Sequence, residues 1–225
     1  MAAAQNEDSG SAALVLNWRI DQWFPDLSPA LRASLKLYYT ELLKFNKTVN
    51  LIGVKTLPHA DAIHFADSIL AQKLFANEIK ATHVYDFGSG NGFPGVIFAM
   101  MMPSVKFTLI DSDLRKSEFL KHIVSLLKLK NAEVLIQQVE KIPEGSVQCA
   151  ISRGFAPIAK SLLMTRKTFA KGGIYYHLKG EEWASEVAEI PTQLCSFWEP
   201  SLLGGYKLPI GEVKFSVVKS VKIQD

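Results

Sequence analysis

The sequence predicts an α/β protein: a doubly wound, mostly parallel sheet of seven strands over residues 81–225, preceded by a helical extension over residues 1–80. Three observations predict it. The first 80 residues carry apolar side chains at helical spacing. After about residue 80, short β-type runs alternate with helix-like stretches, the pattern of a parallel sheet with crossover helices. Between the first run and the first helix lies a glycine-rich turn, and an acidic residue ends the second run about 20 residues later.

The elements follow in order. Leu14, Val15, Trp18 and Trp23 recur at helical spacing and suggest a first helix. A second opens at Ser28-Pro29, a hydroxyl cap followed by proline in the first turn. Its apolar stripe is Leu31, Leu35, Tyr38, Leu42 and Phe45. Asn46 and Asn50 bracket a loop, NKTVNLIGV. A third helix starts near Thr56-Leu57-Pro58, with Ile63, Ile69, Leu70 and Leu74 broadly on one face. Strands are predicted at 82–87, 105–110, 133–137, 147–152, 173–178, around 194–198 and at 213–218. Helices are predicted at 94–102, 113–128, 157–169 and 181–188. No internal repeat or low-complexity linker interrupts them.

Composition bounds the function. At 225 residues with 48% hydrophobic content, the chain can bury one sizeable core. No apolar run reaches the roughly 18 residues of a membrane span. The opening MAAAQNEDSGSAA lacks a basic segment leading into an apolar stretch, so no secretory signal is expected. Cys149 and Cys195 have no partner at metal-ligand spacing, and His59 and His64 lack a third ligand, so no metal is expected. A cytoplasmic location fits this usage. The net charge is only +3, but residues 101–180 hold 13 basic and 6 acidic residues. That excess could attract a polyanion. For any single lysine a solvated helix face is the simpler reading.

The strongest signal is Asp86-Phe87-Gly88-Ser89-Gly90-Asn91-Gly92-Phe93-Pro94-Gly95. A nucleotide cofactor needs close backbone approach in such a turn, and Gly88, Gly90 and Gly92 are expected to supply room. The helix start beyond offers unpaired N–H groups and a positive dipole end. Asp111, in FTLIDSD, ends the second strand, where a carboxylate accepts hydrogen bonds from both ribose hydroxyls. Residues 90–95 also satisfy the dinucleotide pattern G-x-G-x-x-G. Asp86 two residues before the first glycine favours S-adenosylmethionine instead, because a carboxylate there orients the turn and meets the cationic methionine end. Ser89 belongs to the same turn.

Other residues cluster around this core. Ser112 and Asp113 are either helix caps or cofactor contacts. Val139 and Glu140 leave the third strand where an adenine would lie, or form an ordinary strand exit. Arg153 ends the fourth strand. An arginine there is expensive unless paired, so a functional role is expected: contact with the methionine carboxylate, the target base or a phosphate. Lys179 closes the fifth strand in the same layer. His64, Asp67 and Ser68 share one helical face. They read as a polar cluster docking the helical part onto the crevice, since hydrolase triads draw on separate elements.

The strings DFGSGNGFPG, FTLIDSDLRKSEFL, ISRGFAP and HLKG, with FNKTVNLIGV and IHFADSIL upstream, resemble the bacterial small-subunit ribosomal RNA guanine-N7 methyltransferases, also called glucose-inhibited division protein B. The resemblance spans about residues 40 to 180. It implies a class I S-adenosylmethionine-dependent methyltransferase fold and a guanosine of 16S ribosomal RNA as substrate. It implies a cofactor site at Gly88, Phe93, Asp111 to Asp113, Val139, Glu140 and Arg153, with Asn50, His64, Asp67 and Ser68 near its mouth. Ile52, Ile63 and Gly154 depart from the usual threonine, arginine and alanine. The missing arginine at 63 removes one phosphate contact. Two rivals stand beside this reading: a NAD-dependent oxidoreductase, and a non-enzymatic RNA-binding module of ribosome assembly.

Overall fold

The computed structural model describes residues 16–224. Leu14 and Val15 lie outside them. Trp18 sits in a non-helical run ahead of a four-residue helix, α1 (Ile20–Trp23), so the expected first helix is shorter and later than its apolar spacing suggests. Helix α2 (Pro29–Phe45) begins where predicted, with the Ser28 hydroxyl accepting from Leu31 N at 3.2 Å. It buries Leu35, Tyr38, Tyr39 and Leu42.

The expected third helix forms in three pieces. A 3-10 stretch (Val54–His59) contains Pro58, a wider π-type turn follows (Asp61–Ala66), and α3 (Asp67–Phe75) completes it. Pro58 lacks an N–H, which breaks regular winding. Arg19 holds the wide turn from outside, donating from Nε at 2.9 Å and Nη2 at 2.8 Å to the Asp61 carboxylate.

The sheet contains β1 (His83–Phe87), β2 (Lys106–Asp111), β3 (Ala132–Ile136), β4 (Val147–Arg153), β5 (Phe169–Lys179), β6 (Trp198–Lys207) and β7 (Lys214–Lys222). Between them run α4 (Gly95–Met101), α5 (Leu114–Leu126), α6 (Ile158–Thr165), α7 (Trp183–Ala188) and α8 (Thr192–Cys195). The strand order is β3-β2-β1-β4-β5-β7-β6. The first five strands pair in parallel, and β7 lies antiparallel to both β5 and β6. Residues near 194 are helical rather than extended. Pro191 presets the turn into α8, and the strand begins only at the fully buried Trp198.

Two apolar layers cover the sheet. On one face Leu35, Tyr38, Phe65, Ile69, Phe98 and Phe119 pack with Val84, Leu109 and Ile151. On the other, Ile158, Leu162 and Leu194 pack with Phe87, Ala150 and Trp198. Chain order runs outward from β1 to β3, then returns to β4 beside β1. This reversal opens a crevice beyond the carboxyl ends of β1 and β4. Among the described residues, no helix is long and apolar enough to cross a membrane.

Candidate active site

A cavity of about 810 Å³ occupies that crevice. Its walls include Gly88, Ser89 and Gly90 after β1, Asp111 and Ser112 after β2, and Val139 and Glu140 after β3. Arg153 and Phe155 after β4, Lys179 after β5, and His64 and Phe93 complete it. Eleven of the sequence-predicted site residues therefore meet at one opening.

The turn and the acid face each other. Asp111 Oδ2 accepts from Gly90 N at 2.8 Å, and its Oδ1 accepts from Asp113 N at 2.8 Å. A carboxylate has about four acceptor positions, so both oxygens retain capacity for a ribose diol. Gly90 has φ +54°, and a Cβ there would meet only Gly88 O at 3.7 Å and the Asp111 carboxylate at 3.8 Å. The bare backbone at Gly90, with a carboxylate hydrogen-bonded to it on the cavity wall, fits the adenosyl part of S-adenosylmethionine.

The other glycines serve the protein's own packing, which corrects the expectation of a uniformly vacant turn. A Cβ on Gly92 would collide with the Tyr38 hydroxyl and with Val96, and one on Gly95 with the Asp86 carboxylate. At Gly88 the Cβ would fall 2.5 Å from the Phe155 ring. The Tyr38 hydroxyl also donates to the Asn91 carbonyl, tying α2 to the turn.

Asp86 does not line the cavity. It lies under the turn at 1% exposure, accepting from Gly95 N at 3.1 Å, while its Oδ1 has no hydrogen-bond partner. Burial pushes its carboxyl up to about 7, against the pull of the Ser89 hydroxyl and the Gly95 N–H. Its role is to seat the start of α4. Ser89 donates to the Asp86 carbonyl at 2.8 Å, which braces the same turn. Asp113 is the N-cap of α5, accepting from Arg115 N at 2.9 Å and Lys116 N at 3.1 Å, and stands outside the cavity wall.

Arg153 is the hub of the opposite wall. Its Nη2 donates to the Ile63 carbonyl at 2.7 Å and its Nη1 to His64 Nδ1 at 3.1 Å. Nε stands 2.8 Å from Asp67 Oδ2, an ion pair without hydrogen-bond alignment. The other Asp67 oxygen accepts from the Tyr206 hydroxyl at 2.7 Å. Burial raises the Asp67 carboxyl, and Arg153 and Tyr206 partly offset this. All three Arg153 nitrogens engage the helical segment, so the side chain positions that segment while still lining the cavity. Ile63 contributes its carbonyl, so the unusual side chain at this position leaves the arginine's anchorage intact.

His64 lines the cavity with its ring stacked on Phe93, centroids 5.2 Å apart. Burial, and then the Arg153 charge, lower its pKa to about 3, so the ring is neutral. Asp67 and Ser68 are fully buried and do not reach the cavity, and Ser68 donates to the His64 carbonyl at 2.8 Å. Asn50 is exposed and off the wall; Leu51 takes its place there. Asp67 and Ser68 are thereby corrected from substrate contacts to scaffold, while Asn50 lies at the surface beside the lining residue Leu51. Lys179 reaches the cavity but is engaged, donating to the Ala156 carbonyl at 2.8 Å and pairing with Glu186 at 2.7 Å. Among the described residues, no group of three or more His, Cys, Asp or Glu side chains is arranged to hold a metal ion.

Sequence reasoning missed Phe155, Glu186, Phe215 and Tyr206. Phe155 stood inside the quoted ISRGFAP string, which was its only signal. The others lie beyond residue 180, where no local motif marks them.

Relationships to known proteins agree with this architecture. A family model described as "GidB: rRNA small subunit methyltransferase G" matches residues 31–199. The chain is 55% identical to "Ribosomal RNA small subunit methyltransferase G 3" of Bdellovibrio bacteriovorus, over 96% of this chain and 99% of that one. It is 36% identical to "Ribosomal RNA small subunit methyltransferase G" of Laribacter hongkongensis, over 72% and 77%. Among solved structures, a SAM-dependent methyltransferase from Aquifex aeolicus superposes with a TM-score of 0.54 at 15% identity, over 81% of this chain and 98% of that one. A geranyl diphosphate methyltransferase in complex with SAM gives 0.51 at 10% identity, over 70% and 85%. These two show the fold. Strand order, crevice and sequence relationship lead to one assignment: the chain belongs to the GidB family, rRNA small subunit methyltransferase G.

Proposed function

We propose that this protein transfers the methyl group of S-adenosylmethionine to N7 of a guanosine in small-subunit ribosomal RNA, in the cytoplasm. The observation that carries the reading is the bare Gly90 backbone, hydrogen-bonded to the Asp111 carboxylate on the wall of the cavity at the strand-order reversal. Residues 81–225 are read as the methyltransferase unit and residues 1–80 as a helical extension, whose described part from residue 16 packs on that unit.

When bound, the cofactor would supply an electrophilic methyl group on a sulfonium. Guanine N7 carries a free lone pair, so the chain needs no general base. Its task is to hold the base in line and exclude water. Asp111 and Gly90 would hold the ribose and its flank, and Val139 and Glu140 the adenine edge. His64, held neutral, adds no positive charge where the purine becomes cationic. Asp67 counterbalances Arg153 in the same wall.

The test is methyl incorporation from labelled S-adenosylmethionine into ribosomal RNA of a strain lacking the protein. Free RNA and small-subunit particles are compared, and the modified base is mapped. Label at a guanine N7 is the expected result. No label in either substrate, or label at another atom, would overturn the reading.

A further inference from the structure

We propose that Phe155 is the platform on which the target guanine stacks, and that its ring face favours the purine as that base becomes cationic. The inference rests on the methyl-transfer reading above.

The topology sets the direction of the cofactor. Were adenine held at Val139 after β3 and ribose at Asp111 after β2, the strand order would leave the residues after β1 and β4 for the methionine end. The methyl acceptor therefore arrives beside the residues that follow β4. Three phenylalanines line the cavity. Phe93 is sandwiched, with Tyr38 stacked at 5.0 Å and His64 at 5.2 Å. Phe215 stacks with Tyr206 at 6.0 Å and carries the Arg153 guanidinium at 5.9 Å. Phe155 is half-buried against Gly88, and among the described residues no aromatic ring or cation covers it. It is the ring with a face to offer.

Its frame is fixed from both sides. Before it, Arg153 is pinned to Ile63, His64 and Asp67. After it, Lys179 holds the Ala156 carbonyl at 2.8 Å, and Glu186 takes both Lys179 and the Ile158 N–H, at 2.7 and 2.8 Å. A splayed RNA base is commonly gripped by stacking on such a ring. Transfer forms the N7–carbon bond, breaks the carbon–sulfur bond and leaves the positive charge on the purine, with no proton moved. An aromatic face attracts a cation more than a neutral ring. The contact therefore strengthens along the reaction, which raises kcat and not only affinity.

The experiment compares the parent with Phe155→Trp and Phe155→Leu. In Phe155→Trp the emission of the new indole should be quenched by 7-methylguanosine 5′-monophosphate more than by guanosine 5′-monophosphate, in a difference spectrum against the parent. Phe155→Leu should bind S-adenosylmethionine as the parent does in calorimetry, yet lose kcat on the order of tenfold. Full kcat in Phe155→Leu, an absent or non-selective quench, or a kcat loss matched by an equal loss of cofactor affinity would overturn the platform. In the last case the ring merely packs on Gly88. If the parent itself methylates no ribosomal RNA, the methyl-transfer reading fails and the platform with it.

Discussion

Arg153→Ala tests whether the wall of the cavity is held by one buried charge pair. The substitution leaves Asp67, at 0% exposure, without its cationic partner. Removing one member of a buried pair costs about 3–5 kcal/mol. Two features place this site at the low end. The Nε–Oδ2 approach lacks hydrogen-bond alignment, and the Tyr206 hydroxyl still serves the other oxygen at 2.7 Å. A loss of about 3 kcal/mol lowers Tm by roughly 6–12 °C in a chain of this size. The loss also depends on pH. Burial raises the Asp67 carboxyl even beside Arg153, and without the arginine it rises further. The folded variant then keeps a proton that the unfolded chain releases at lower pH. Its deficit is therefore smallest in acid and grows as pH rises towards the folded pKa. Thermal unfolding at about pH 5 and about pH 8 measures this directly. Adding Asp67→Asn to Arg153→Ala should recover most of the loss at the higher pH, since the stranded charge is gone. A Tm change below about 2 °C at pH 8, or an equal deficit at both values, would refute the reasoning.

Other outcomes follow from the same geometry. Gly90→Val should abolish S-adenosylmethionine binding in calorimetry while costing only about 1–2 kcal/mol of stability, because its φ of +54° strains a branched residue whose side chain enters the cavity; undiminished binding would remove Gly90 from the site. Gly92→Ala should instead destabilise the fold by about 1–3 kcal/mol in denaturant unfolding, since its methyl meets Tyr38 and Val96; a neutral effect would show that α2 is not seated on the turn. Asp86 contributes stability below its unfolded value of 3.8 that is lost as pH rises through about 7. Asp86→Asn keeps the acceptor for Gly95 N without the charge, so its stability should fall less steeply than the parent's across that window and exceed the parent's at about pH 8. Matching slopes for the two proteins would contradict a buried, proton-holding Asp86.

The parallel half of the sheet was legible because its information is local. Each buried strand is a short apolar run bounded by polar turns, and Ser28-Pro29 marks the start of α2 at the residue observed. The edge strand β6 was not legible. Pro200, Gly204 and Gly205 break any apolar run, and its extended form comes from pairing with β7. Leu194, Phe197 and Trp198 mimic a strand, although Leu194 is buried from a helix. In the site, the turn and Asp111 were readable from spacing alone. The partners of Arg153 were not, because Asp67 and Tyr206 reach it from distant elements. A run of glycines also conceals which protein side chain each one accommodates. Here Gly92 and Gly95 make way for Tyr38 and Asp86.

The hydrogen bond between Tyr206 and Asp67 joins residues 139 apart, with Arg153 paired to the same carboxylate. Tyr206 lies on β6, which joins the sheet only through β7, the last strand of the chain. While the protein is being synthesised, residues 16–153 can emerge and collapse with Asp67 still missing one of its two partners. The wall closes only when the final hairpin leaves the exit tunnel and zips onto β5. A chain that stops before β6 carries the cofactor turn but lacks the tyrosine that completes the brace behind the wall.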